Sequence, residues 1–160
     1  QVTPLDIVIS RFSLEVIGTI FAGLVISVGA VSLGYMKPPE NYSMLYLGII
    51  FQILFCLSTS LIVAPLTERS ELFEKSISVL SYLSLPLSGA FSMVQWISPH
   101  YRWILMLSPS VESIEMIRYG QFGVNAHSHY DIIYSIYINI ILIIIGLSLT
   151  LRVRKYIHIQ

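Results

Sequence analysis

SPHYRWILMLSPSVESIEMIRYGQFG, residues Ser98–Gly123, is the stretch that decides how this chain is read. It lies between two apolar segments of membrane length, yet it carries charged side chains, two prolines and a histidine. It is too polar to span a bilayer and too apolar for an ordinary solvated loop. Leu105–Leu107 is apolar, Ser108-Pro109 breaks the run, and a second short helix can begin there. Ser108 suits the N-cap, and Pro109 suits the first helical position, where a missing N–H costs nothing. On that helix Glu115 and Arg118 stand three residues apart and share a face. Two short helices with a break between them, entered and left through transmembrane helices, describe a re-entrant element. Backbone at that depth is tolerated only where it packs on protein or lines a wet cavity. The competing reading is an amphipathic loop on the membrane surface, and the residues alone leave both open.

Working outward, the composition sets the solvent. The 160 residues are 55% hydrophobic and 11% charged, with a mean hydropathy of +0.76. Soluble domains carry roughly 25% charged residues, so this is a membrane protein. The formal net charge is zero, and with no basic stripe to neutralise phosphates, nucleic acid is not expected as a partner. The single cysteine, Cys56, lies in an apolar run and reads as a small buried apolar residue.

Four spans are expected, at about 12–35, 42–66, 77–97 and 132–151, each near the ~20 residues that cross the hydrocarbon core. The first carries Gly18, Ala22, Gly23, Gly29 and Ala30, small residues that let helix backbones approach, so that face is expected to pack on protein. A tight turn, KPPEN (37–41), leads to the second span. Gln52 within it is expensive in lipid and is expected to face the bundle or a cavity. Its Ser58, Thr59 and Ser60 can bond back to their own helix. The charged stretch 67–76 is expected to form a helical turn or two outside the membrane, and Pro86 with Gly89 predicts a kink in the third span. Asn139 is the one strongly polar residue of the last. The whole of 1–160 reads as one transmembrane domain.

The basic residues orient the chain. Arg11, Arg69, Lys75, Arg152, Arg154 and Lys155 fall on one side and Lys37, Arg102 and Arg118 on the other, which places both ends in the cytoplasm. Tyr35, Tyr42, Tyr46, Trp96, Tyr101, Trp103, Tyr119, Phe122 and Tyr130 then cluster at the outer boundary, where an interfacial belt is their default role. No phosphate-binding G-x-x-x-x-G-K-[ST] loop is present. His127 and His129 alone are a weak metal signal, and nothing places Ser, His and Asp as a triad. No enzyme, metal site or cofactor is expected on this chain.

Tyr101, Trp103, Pro109, Glu115 and Arg118 resemble the "YW…NP…E…R" pattern before the last span of ABC-2 type permeases, and most of all the capsular polysaccharide export permeases. Ser108 stands where that pattern has Asn, which keeps the helix cap and loses the amide. The resemblance covers nearly the whole chain. It implies an all-α integral membrane fold: four transmembrane helices with a re-entrant helical hairpin, 98–123, before the last, in an ABC-2 permease lacking its first two spans. It implies a subunit of an ATP-driven exporter in the bacterial inner membrane that moves a lipid-linked capsular polysaccharide. ATP hydrolysis would lie on a separate cytoplasmic ATP-binding subunit, and a second permease copy would complete a homodimer. Pro4, Asp6 and Arg11 would lie at the ATPase contact. Tyr101, Trp103, Tyr119 and Phe122 are candidates for the substrate path, where flat rings contact the C–H faces of sugars. Ser108, Pro109, Glu115 and Arg118 would hold the re-entrant element. Alternative cargoes are O-antigen, teichoic acid or a hydrophobic compound. A non-transporting four-helix membrane anchor is the alternative of another class.

Overall fold

The computed structural model describes residues 4–157, apart from the side chains at 4–8, 68, 69, 78, 87 and 153–157. Six α-helices follow in order: α1 Pro4–Ser32, α2 Tyr42–Arg69, α3 Glu71–Leu87, α4 Arg102–Met106, α5 Pro109–Phe122 and α6 Ile132–Ile157. There is no strand among the described residues. Among the described residues three helical stretches are long and apolar enough to cross a membrane: Ile9–Ser32, Tyr42–Thr67 and Ile132–Arg152. They coincide with the first, second and last expected spans to within a few residues.

α2 is the centre of the packing. It starts where Asn41 caps it, the side-chain oxygen accepting from the Met44 N–H at 3.2 Å. α5 and α6 both lie against it, and glycine permits the approach. A Cβ on Gly48 would sit 2.8 Å from the Ile117 nitrogen and the Ser113 carbonyl of α5, and a Cβ on Gly120 would fall into the Leu45 backbone. At the other end, a Cβ on Gly146 of α6 would sit 2.8 Å from Leu61 Cβ, and Thr150 donates its hydroxyl to the Leu61 carbonyl at 3.1 Å. Backbones this close replace apolar side-chain burial with direct packing, which is how helices associate in lipid.

The first-span glycines do not serve that purpose within this chain. Gly18, Gly23 and Gly29 have open space where a Cβ would be, and none of the most apolar stretch of α1 is buried. Small residues at helical spacing announce a possible close approach, not its partner.

The third expected span is also shorter than the sequence suggests. α3 ends at Leu87 and is not among the three long apolar helices. Pro86 lies in its last turn, and Gly89 follows in the left-handed region at φ +79°, a conformation that terminates a helix instead of kinking it. The chain then runs through a short 3-10 turn, Val94–Trp96, toward α4. The charged stretch 67–76 contains no loop beyond one residue. Ser70, in extended conformation, ends α2 and caps α3.

The buried charged face of α5

α5 begins as its local sequence directs. Ser108 occupies the N-cap position in extended conformation and Pro109 the first turn, although the Ser108 hydroxyl makes no capping bond. Helix α4 precedes it across the break at Leu107 and Ser108. What separates α5 from the rest of the chain is what it buries: Ser110, Glu112, Ser113 and Glu115 are each at most 3% exposed.

Glu115 and Arg118 form the expected pair, Nη1 to Oε1 at 2.6 Å, the one ion pair among the described residues. The pair is the middle of a larger set of bonds. Arg118 also donates to the carbonyls of Gly89 at 2.6 Å, Ala90 at 3.2 Å and Ser92 at 3.0 Å, the turn in which α3 ends. Glu115 accepts from the Val94 N–H through Oε1 at 3.4 Å and from the His129 N–H through Oε2 at 3.3 Å. One turn earlier, Glu112 accepts from the Asp131 N–H at 2.6 Å. Asp131 in turn caps α6, its carboxylate accepting from the Ile133 and Tyr134 N–H groups at 2.9 and 3.1 Å. α5 thus grips the chain on both sides of itself, after α3 and before α6.

Glu112 is the residue that sequence reasoning missed. It is 1% exposed, and burial pushes its carboxyl up to about 7, opposed by the Asp131 N–H and reinforced by the charges of Asp131 and Glu115. The spacing that paired Glu115 with Arg118, taken one step back along the helix, reaches it. One further polar residue answers the expectation placed on it. Gln52 of α2 shares hydrogen bonds of 3.3 Å with Ser110 of α5, so it does face the bundle. Asn139 is 2% exposed, donates to the Ser135 carbonyl at 2.8 Å, and leaves its Oδ1 without a partner, as Ser135 leaves its hydroxyl. Ser58 and Thr59 bond back to the Phe55 carbonyl, both at 2.8 Å.

The candidate aromatics occupy a different surface. Tyr101, Trp103 and Phe122 are 57%, 61% and 49% exposed. Tyr101 sits edge-on to His100 with centroids 5.1 Å apart, and Tyr119 edge-on to Tyr130 at 5.4 Å. No ring contact joins the four candidates to one another among the described residues. Beside Phe122, a groove of about 480 Å³ is lined by Lys37, Glu40, Gln121 and Asn125, two of which are joined where Gln121 donates to the Lys37 carbonyl at 2.8 Å. Of the ATPase-contact candidates, Arg11 is exposed, while the side chains of Pro4 and Asp6 lie outside the described residues. No group of three or more His, Cys, Asp or Glu able to hold a metal occurs among the described residues.

Among the described residues the chain is helical, and three membrane-length apolar helices, with a short polar helix held against them by its own charges, are the pattern of a polytopic membrane protein. The family model for ABC-2 type transporters matches residues 1–122, and the chain belongs to that family. It is 26% identical over 160 residues to the capsule polysaccharide export inner-membrane protein CtrC of Neisseria meningitidis serogroup B, covering all of this chain and 60% of that protein. The serogroup A CtrC is 27% identical over the same lengths, and a capsule polysaccharide export inner-membrane protein BexB of Haemophilus influenzae is 26% identical, again over 60% of its length. The chain therefore spans about 60% of these curated relatives. No solved structure matches it.

Proposed function

We propose that this chain is a four-crossing part of a capsule polysaccharide export permease, a transport subunit with no catalytic residues or cofactor of its own. Its alignment from end to end with capsule export inner-membrane proteins carries the cargo assignment. Another polymer such as O-antigen or teichoic acid is the second reading. The non-transporting anchor has nothing specific to favour it once the family is known.

The topology has its own support. The head of α2 is bonded to α5, with the Asn41 N–H donating to the Gly120 carbonyl at 2.9 Å, and the head of α6 is bonded to α5 through Glu112. Both helices therefore start on one side, and α2 leaves toward the other. Yet residues 89–94 are back at α5, held by Arg118 and Glu115. Helix α3 has to make the return. Its 17 residues rise about 26 Å, close to the ~30 Å hydrocarbon core, and the segment to Ile97 supplies the remainder. On this reading α4 and α5 form a re-entrant element in the outer leaflet. Both chain ends are cytoplasmic, and the region around Pro4, Asp6 and Arg11 meets a separate ATP-binding subunit. A second copy completes the permease, and Tyr101, Trp103, Tyr119 and Phe122 border the exit path.

The test is thiol accessibility along Trp103–Tyr119 in the full-length protein without Cys56. A membrane-impermeant reagent is applied from outside, with the ATPase partner present and absent. Labelling along one helical face that changes with nucleotide is the expected result. Uniform labelling that ignores nucleotide would place the element on the membrane surface and remove the gate from the reading.

A further inference from the structure

We infer that Glu112 is a proton-operated latch on the head of α6: neutral, it keeps residues 129–135 docked on α5, and ionised, it lets them go. The geometry isolates this carboxyl. It is 1% exposed, its one hydrogen bond reaches the Asp131 N–H, and the nearby cation is already committed. Arg118 pairs with Glu115 and fills its other positions with the carbonyls of Gly89, Ala90 and Ser92.

The groups facing Glu112 from each packed element point the same way. On α5 itself stand Glu115 and Arg118, a pair that neutralises itself. At the head of α6 stand Asp131, a carboxylate fixed by the two N–H groups it caps, and Tyr134, whose hydroxyl donates to the Leu107 carbonyl at 2.7 Å. His129 meets the cluster through its backbone N–H on Glu115. From α2 comes Gln52, which bonds Ser110 and does not titrate. Arg102 of α4 is bound to the carbonyls of Ile97 and Gln95. An ionised Glu112 thus gains no counter-ion among the described residues, loses its water, and faces a fixed like charge across a single hydrogen bond.

The cost falls on the docked state alone, because in the opened state the carboxyl regains water and its ordinary range near 4.5. Docked, it holds its proton to about 7. Between those values the docked state binds more protons than the open one, so opening rises with pH and levels off above about 7. A neutral Glu112 still accepts the Asp131 N–H through its carbonyl oxygen, so protonation preserves the contact.

The experiment is hydrogen exchange of the amides of Asp131–Ser135 in the full-length protein in nanodiscs at pH 5–8, corrected for intrinsic exchange. Wild type is expected to lose about tenfold or more of its protection across that range. Glu112→Gln, which mimics the neutral acid and keeps the acceptor, is expected to hold the low-pH protection throughout. Protection flat with pH in wild type, or the same fall in Glu112→Gln, would overturn the latch. Should that variant fail to fold, the infrared band of a protonated carboxyl decides on wild type alone. A band that survives to pH 6 and is gone by pH 8 supports the latch, and loss of all such absorption by pH 5.5 refutes it. Only the side whose pH matters rests on the orientation proposed above. In oriented proteoliposomes the outer pH should act; control from the cytoplasmic side would invert the orientation while upholding the latch.

Discussion

Removing Glu115 and Arg118 singly and together is the sharpest test of how α5 is held. Arg118→Ala leaves the 3%-exposed Glu115 side chain without its cation and the carbonyls of Gly89, Ala90 and Ser92 without their donor. Breaking a buried pair from one side costs about 3–5 kcal/mol. Glu115→Ala leaves Arg118 charged among carbonyls and strips the acceptor from the Val94 and His129 N–H groups, again about 3–5 kcal/mol. The double variant has no orphan charge. Its cost is that of the tethers each residue makes alone, the two N–H groups and the three carbonyls, each toward the low end of about 1–3 kcal/mol. Were the pair a closed unit, as its spacing alone implies, the double change would be no worse than either single one. The separate tethers predict that it is worse than either and milder than their sum, with a coupling of about 2–3 kcal/mol. Reversible unfolding in bicelles by steric trapping measures all three. Costs that simply add, to within about 0.5 kcal/mol, would refute the reasoning.

The glycine contacts make a second prediction with an internal control. Gly120→Ala forces a methyl into the Leu45 backbone and is expected to cost about 1–3 kcal/mol or more. Gly18→Ala, with nothing within 4 Å, should stay within about 0.5 kcal/mol in the same assay, and equal losses would mean the α2–α5 approach is not as described. A third concerns Asn139, whose Oδ1 is buried and unpartnered. Asn139→Leu should be neutral or stabilising, since it removes an unsatisfied acceptor; a loss above about 1 kcal/mol would mean the amide has a partner in the assembled permease.

The start of α5 was legible because its signals are local. Ser108 and Pro109 act within one turn, and the Glu115–Arg118 spacing needs no tertiary knowledge. Gln52 was legible through its cost in lipid, which left the bundle as its destination, and Ser110 received it. The end of α3 was not, because Pro86 and Gly89 suit a kink as well as a stop. The choice falls to Arg118, 29 residues away, which takes up the Gly89 carbonyl. Glu112 was hidden for a different reason. Sequence reading assigns apolar residues to the inside, whereas on α5 the buried face contains Ser110, Glu112, Ser113 and Glu115.

That inversion has a cause in the backbone. In a bilayer every N–H and C=O needs a partner within the protein, and helices supply it only along their own length. This chain breaks its helices twice around α5, and the breaks expose the carbonyls of Gly89, Ala90 and Ser92 and the N–H groups of Val94, His129 and Asp131. Each of these six groups is met by Arg118, Glu115 or Glu112. The charges stand in an apolar chain because donors and acceptors of one residue each must reach several backbone groups, and a guanidinium and carboxylates have the most positions to offer. Arg118 and Glu115 also cancel each other; Glu112 has no such partner. An acid buried in the protein as a backbone acceptor without a counter-ion is costly to ionise, so on the latch inferred above the element that closes the breaks carries its own sensitivity to pH.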